Sequence, residues 1–197
     1  MNGYAILGWG SLIWDLDNLA PHVRGGWAMG AGPRLAMEFT RVSPKRKRAL
    51  VVCLDAVHGT GCATNIIASV RDEIGAAAAD LARRERAPDD RIGTVCLVSG
   101  HARGSSPEIV GDVRRWCAAE GWAGAVWTGL PSNFEDHLGE AFSVPRAVAY
   151  LRTLTGDSLD EAVRYIEQAP AATDTPLRRA LAADEWWCAE ARQRGLR

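Results

Sequence analysis

A short uncharged strand that runs straight into a glycine turn is the strongest constraint in this chain. Tyr4-Ala5-Ile6-Leu7 is followed at once by Gly8-Trp9-Gly10-Ser11-Leu12. An apolar run of this length bounded by glycine reads as a strand. Two glycines separated by one residue let the chain turn while backbone N–H groups converge without Cβ interference. Such a nest of donors suits a carboxylate or a developing oxyanion. The plain alternative is an ordinary turn, since glycine is a common turn residue for purely conformational reasons. Two familiar motifs are excluded. The spacing and lysine of a phosphate loop are missing, and the serine lacks the following glycine of a nucleophile elbow.

The rest of the N-terminal region continues in strands. Gly25-Gly26 and Gly30-Ala31-Gly32-Pro33 read as turns. Leu35 to Arg41, Ala49 to Leu54 and Ala63 to Val70 read as strands. The turn His58-Gly59-Thr60-Gly61 between the last two predicts a hairpin. Helical periodicity follows over Asp72 to Glu85, with acidic residues at its start. Ile92 to Val98 and Ala123 to Thr128 read as further strands. Between them, Ser106-Pro107 marks a helix start, with Ile109, Val113 and Trp116 on one stripe. Helices are predicted over Pro145 to Leu154, Leu159 to Gln168 and Pro176 to Arg192. Ser158 to Glu161 forms a capping box, and Thr175 caps the last helix. The fold class is therefore mixed α/β. One domain is expected over 1–197, with a core over 1–140 and a helical extension over 141–197.

Several classes of function fall away. With a net charge of −1 the chain is not a globally basic nucleic-acid binder. The local basic run Arg41, Lys45, Arg46, Lys47, Arg48 lacks interleaved aromatics for base stacking and reads as a solvated loop. An inward-pointing Arg41 or Ser43 that anchors an anionic substrate is the functional alternative. The five cysteines show no zinc or redox spacing and sit mostly in apolar runs, as reduced core residues do. The four histidines show no metal spacing, so neither a metal nor another cofactor is expected. No apolar run reaches the ~20 residues of a membrane helix, and the N-terminus lacks the basic stretch of a signal peptide. A cytoplasmic protein with no membrane partner is expected. Trp9, Trp14 and Trp27 surround the glycine turn and either wall a pocket or pack the core. Leu130 to Phe134 forms a loop after a strand, with no mechanism attached to it.

Glu85 is the candidate acid/base. Ile74, Ala78, Leu81 and Glu85 share one helix face, apolar until its last member. A carboxylate at the end of a core-facing stripe has its pKa raised, which suits proton transfer near neutrality. The competing explanation is a salt-bridged glutamate at a helix end, flanked as it is by Arg83, Arg84 and Arg86.

Taken together, Ala5-Ile6-Leu7-Gly8-Trp9-Gly10-Ser11-Leu12-Ile13-Trp14 resembles the N-terminal signature of the ChaC-type γ-glutamylcyclotransferases, in which a strand runs into Gly-Tyr-Gly-Ser-Leu-Ile-Trp. Phe39 to Ser43 and the strands over 49–54 and 62–70 are similar to the segments that follow in that family. Arg84-Glu85 resembles its Arg-Glu pair. The resemblance covers roughly residues 4–98. It implies a small mixed β-barrel with flanking helices, here with extra C-terminal helices. It implies Glu85 as the acid/base, and Gly8, Trp9, Gly10, Ser11, Leu12, Arg41 and Ser43 as substrate-binding residues. The substrate would be a small γ-glutamyl amide such as glutathione, whose own α-amine attacks the γ-carbonyl and releases 5-oxoproline; the alternative within enzymes is a biosynthetic or catabolic cyclotransferase that deprotects a γ-glutamylamine and does not act on glutathione. A non-catalytic binding module, for a small molecule or nucleic acid, is the alternative outside enzymes. Oligomeric state is left open.

Overall fold

The computed structural model describes residues 2–197. Nine strands run in chain order: β1 Asn2–Gly8, β2 Val23–Ala28, β3 Arg34–Ser43, β4 Ala49–Leu54, β5 Thr60–Ala63, β6 Asn65–Ser69, β7 Ile92–Cys96, β8 Ala102–Arg103 and β9 Trp122–Thr128. The helices are α1 Ile74–Glu85, α2 Pro107–Glu120, α3 Phe134–Leu138, α4 Val144–Thr153, α5 Gly156–Gln168, α6 Pro176–Ala183 and α7 Glu185–Gln193. The protein is thus mixed α/β. Its chain divides into two compact units, one of residues 1–35 and 63–130, the other of 36–62 and 131–197. The helices over 144–193 accordingly belong to the same unit as β4.

The first unit is built on a six-stranded sheet in the order β2-β6-β1-β9-β7-β8. β1 runs antiparallel to β6 and parallel to β9, with Ile6 opposite both Ile67 and Val126. The sheet is therefore mixed. Among the described residues no strand pairing joins β2 to β8, so the sheet is not closed into a barrel. Helix α1 covers one face. Its Ala77, Ala78, Leu81 and Ala82 pack with Tyr4, Ile6, Ile67, Ile92 and Val126 in a single apolar cluster, and Ile74 packs against that cluster. The expected stripe is therefore the buried face of α1, and truncating Leu81 at its centre would cost about 2–5 kcal/mol. Helix α2 starts as predicted: the Ser106 side chain accepts from Glu108 N, Pro107 follows, and Ile109 and Val113 are buried.

The second unit has a three-stranded sheet, β4-β3-β5, together with α3 to α7. Phe39 meets Tyr165 edge-on at 6.4 Å, and Phe134 meets Phe142 at 5.1 Å and Tyr150 at 6.4 Å. Trp187 is fully buried and donates its indole N–H to Glu167 Oε1 at 2.7 Å.

Several local expectations are corrected. Gly25-Gly26 lies inside β2, where the register to β6 shifts between Arg24 and Ala28; a bulge, not a turn, absorbs the pair. The residues 63–70 do not form a hairpin with β4. They divide into the end of β5 and β6, which belong to different sheets, and β3 stands between β4 and β5. Helix α5 begins at Gly156, so Ser158 lies within it, and Glu161 bonds Arg46 and Arg164 instead of closing a capping box. The last predicted helix is two. Asp184 leaves the helical conformation and its side chain accepts from Trp187 N, which restarts the chain as α7. The acidic Asp72 and Glu73 precede α1 and do not lie in its first turn.

Candidate functional site

The glycine turn sits where β1 ends. Trp9 is extended, Gly10 has φ of 57°, and Gly10–Ile13 forms one short 3-10 turn. A positive φ at Gly10 is the left-handed conformation that a side chain disfavours. The first residues of such a turn have N–H groups with no acceptor within it. Ser11 O closes the turn by accepting from Trp14 N and from Asp15 N, the latter at 3.0 Å. Leu12 is buried in the α1 cluster and anchors the turn to the core. Gly8 serves a different purpose. A Cβ there would lie 2.4 Å from the Trp27 ring, so the absence of a side chain lets Trp27 pack against the end of β1. Asn65 then holds the strand end from the other side: its Nδ2 donates to Gly8 O at 3.0 Å while its Oδ1 accepts from Gly30 N at 2.9 Å.

Glu85 arrives at the same edge of the sheet. It is the last residue of α1, and residues 86–91 lead directly into Ile92, which pairs with Thr128 at the carboxyl end of β9. β9 is the parallel neighbour of β1, so both strands deliver their carboxyl ends here. In open α/β sheets ligands bind at that edge. The Glu85 side chain is partly exposed, at 20%.

Arg84 ties the two parts together. Its side chain is 1% exposed. Nε donates to the Asp15 carbonyl at 3.0 Å and Nη2 donates to the same oxygen. Nη2 also lies 3.4 Å from Asp15 Oδ2, and Nη1 lies 3.8 Å from Glu85 Oε1. The sequence places Arg84 beside Glu85 as half of an Arg-Glu pair but assigns it no role, although it falls on the helix face of Ala77 and Leu81, both buried. That placement was the available signal.

Arg41 and Ser43 lie in the second unit, on β3. Arg41 donates from Nη1 to Pro131 O at 2.7 Å, and Ser43 O accepts from Arg48 N at 2.9 Å. The loop 131–133 is tied to β3 mainly through its side chains. Asn133 accepts from Val42 N at 2.7 Å and donates to Val42 O at 3.1 Å, and Ser132 donates to Thr40 O at 2.8 Å. This gives the Leu130–Phe134 segment a structural account. The basic run is engaged as well. Arg46 bonds Glu161 at 3.3 Å and lies 5.9 Å from the Tyr165 ring centroid, while Lys47 bonds Asp157 at 2.6 Å.

Three buried carboxylates, Glu38, Asp55 and Asp80, carry no role in the sequence reading. In the first unit, Asp80 accepts from Arg71 Nε at 2.6 Å and Nη2 at 3.1 Å, and from Arg83. Burial would raise its carboxyl, but Arg71, His22 and Arg83 together hold it below the usual aspartate value. In the second unit, Glu38 is fully buried and accepts from Phe39 N at 2.8 Å and from Leu177 N at 3.0 Å, near the start of α6. Burial pushes its carboxyl up against the opposing pull of Thr175 and these amides. Among the described residues no group of three His, Cys, Asp or Glu side chains could hold a metal ion. Nor is any helix long and apolar enough to cross a membrane.

Compared with protein-family models, curated proteins and solved structures, the chain finds no match in any of the three.

Proposed function

We propose that the protein is a γ-glutamyl cyclotransferase acting on a small γ-glutamyl amide, either glutathione or another γ-glutamylamine. The observation that carries the proposal is the arrival of Glu85 and the Gly8–Leu12 turn at one edge of one sheet, tied through Arg84. The resemblance of these residues to the ChaC-type signature supports the choice of reaction. On this view the six-stranded sheet is the counterpart of that family's small barrel, and the five free thiols suit a reducing cytoplasm.

In the reaction, Glu85 takes a proton from the substrate's α-ammonium. The freed amine attacks the γ-carbonyl, and the new C–N bond closes a five-membered lactam. The backbone N–H groups of Gly10 and Ser11, which have no acceptor within the 3-10 turn, receive the oxyanion of the tetrahedral adduct. The C–N bond to the leaving group then breaks. The lactam keeps one of the ammonium's three hydrogens, and the other two reach the leaving nitrogen, carried by Glu85, which ends ionised as it began. Because the nucleophile belongs to the substrate, the enzyme contributes mainly the bent substrate conformation and the effective molarity that comes with it.

The test is release of 5-oxoproline from a panel of γ-glutamyl peptides and γ-glutamylamines by wild type and Glu85→Gln. Turnover of at least one member, reduced about 10²–10⁴-fold in the Gln variant, is expected for loss of a general acid/base. Full activity in Glu85→Gln removes Glu85 from the role, and absence of turnover across the panel removes the reaction.

A further inference from the structure

We propose that Arg84 is a positioning residue, a buried guanidinium that locks Glu85 and the Gly10–Ile13 turn into one geometry. The proposal rests on the cyclotransferase reading in so far as Glu85 is the acid/base. A charged side chain that is 1% exposed must use its donors, since an unpaired buried charge is strongly unfavourable. Arg84 spends two donors, Nε and Nη2, on a single backbone oxygen, that of Asp15. A carbonyl held on both lone pairs has little freedom to swing. Asp15 N in turn bonds Ser11 O at 3.0 Å, so restraint passes from the guanidinium to the turn in one step. The remaining nitrogen, Nη1, faces Glu85 Oε1 at 3.8 Å. One rigid planar group therefore touches both the carboxylate that moves protons and the segment whose amides meet the oxyanion. Lysine cannot reproduce this, because its ammonium is a single point and cannot span a carbonyl and a carboxylate that face different nitrogens of the guanidinium.

Arg84→Lys separates positioning from folding. Two measurements are made on wild type and variant: 5-oxoproline release across the γ-glutamyl panel, and amide hydrogen exchange by residue. The expected result is a fall in kcat of about 10²-fold with KM changed only a few-fold, as for a displaced catalytic geometry. Faster exchange is expected at Trp14 and Asp15, whose N–H groups bond Ser11 O, with protection in β1 and β9 unchanged. Unchanged kcat, or unchanged exchange at Trp14 and Asp15, overturns the proposal. So does loss of protection throughout β1 and β9, which makes Arg84 a residue of the fold alone. If wild type turns over no member of the panel, the cyclotransferase reading falls. The exchange pattern then decides the Arg84 lock by itself: acceleration confined to 14–15 supports it, and no acceleration overturns it.

Discussion

The Trp27 ring lies against Gly8 so closely that a single added methyl group would come within 2.4 Å of its edge. Two glycines of the turn therefore fail in different ways. Gly8→Ala overpacks the end of β1 and is expected to cost about 1–3 kcal/mol, with a displaced Trp27 visible as a shift in tryptophan emission. Gly10→Ala places a side chain at φ of 57°, a cost of roughly 1–2 kcal/mol. Urea unfolding gives both costs.

Asp80 and Glu38 should respond to pH with opposite signs. The Asp80 carboxyl is depressed in the folded protein, so its contribution is present above the ordinary value of 3.8 and is lost as pH falls through the depressed one. Asp80→Asn is expected to destabilise by roughly 1.5–3 kcal/mol at pH 7, the range for hydrogen bonds to a charged group. The gap to wild type should narrow in acid.

Glu38 is raised, so its contribution is present below the ordinary value of 4.5 and is lost as pH climbs through the elevated one. The stability of wild type relative to Glu38→Gln should therefore fall as pH rises from 4 towards neutrality. Denaturant titrations across that range check the sign, and a difference that grows with pH contradicts it.

The thiols should label in a fixed order. Burial pushes Cys53 up to about 11 and Cys117 up to about 12, so both stay protonated and enclosed at pH 8. Cys188 is partly exposed. A thiol-reactive probe followed by mass spectrometry is expected to modify Cys188 first and to reach Cys53 and Cys117 only on unfolding.

The ion pairs of the basic run give a graded pair of variants. Lys47 and Asp157 are 55% and 81% exposed, so Lys47→Ala should cost under about 1 kcal/mol. Arg46 is more enclosed, bonds Glu161 and covers Tyr165, and its alanine variant should cost about 1–2 kcal/mol. Thermal unfolding measures both. Neutralising residues 45–48 should leave binding to DNA or RNA unchanged, because Arg46 and Lys47 are committed to α5; a salt-dependent loss of such binding would restore the nucleic-acid alternative.

What could be read in advance follows the range of the interaction. Ser106 with Pro107, and Thr175 with Pro176, mark helix starts that the structure reproduces, because a cap reaches only two or three residues. The α1 stripe was legible for the same reason. The register of β5 and β6 was not, because two strands of similar composition can pair with different sheets and only tertiary contacts choose. Asp184 carried a legible cap signal that the continuous periodicity around it concealed. Arg84 and Asp15 stand 69 residues apart, and Glu38 and Leu177 stand 139 apart. No local pattern announces such partners, and at the candidate site it is the tie of Arg84 to Asp15 that the sequence does not show.

The chain passes between its two units after residues 35, 62 and 130. During synthesis, β1 waits for β6 and then for β9, more than a hundred residues later, before both of its edges are paired. Such non-local pairing slows folding. Neither unit can be isolated by shortening the chain from one end. Separating them calls for a permuted or spliced gene in which 1–35 is joined to 63–130.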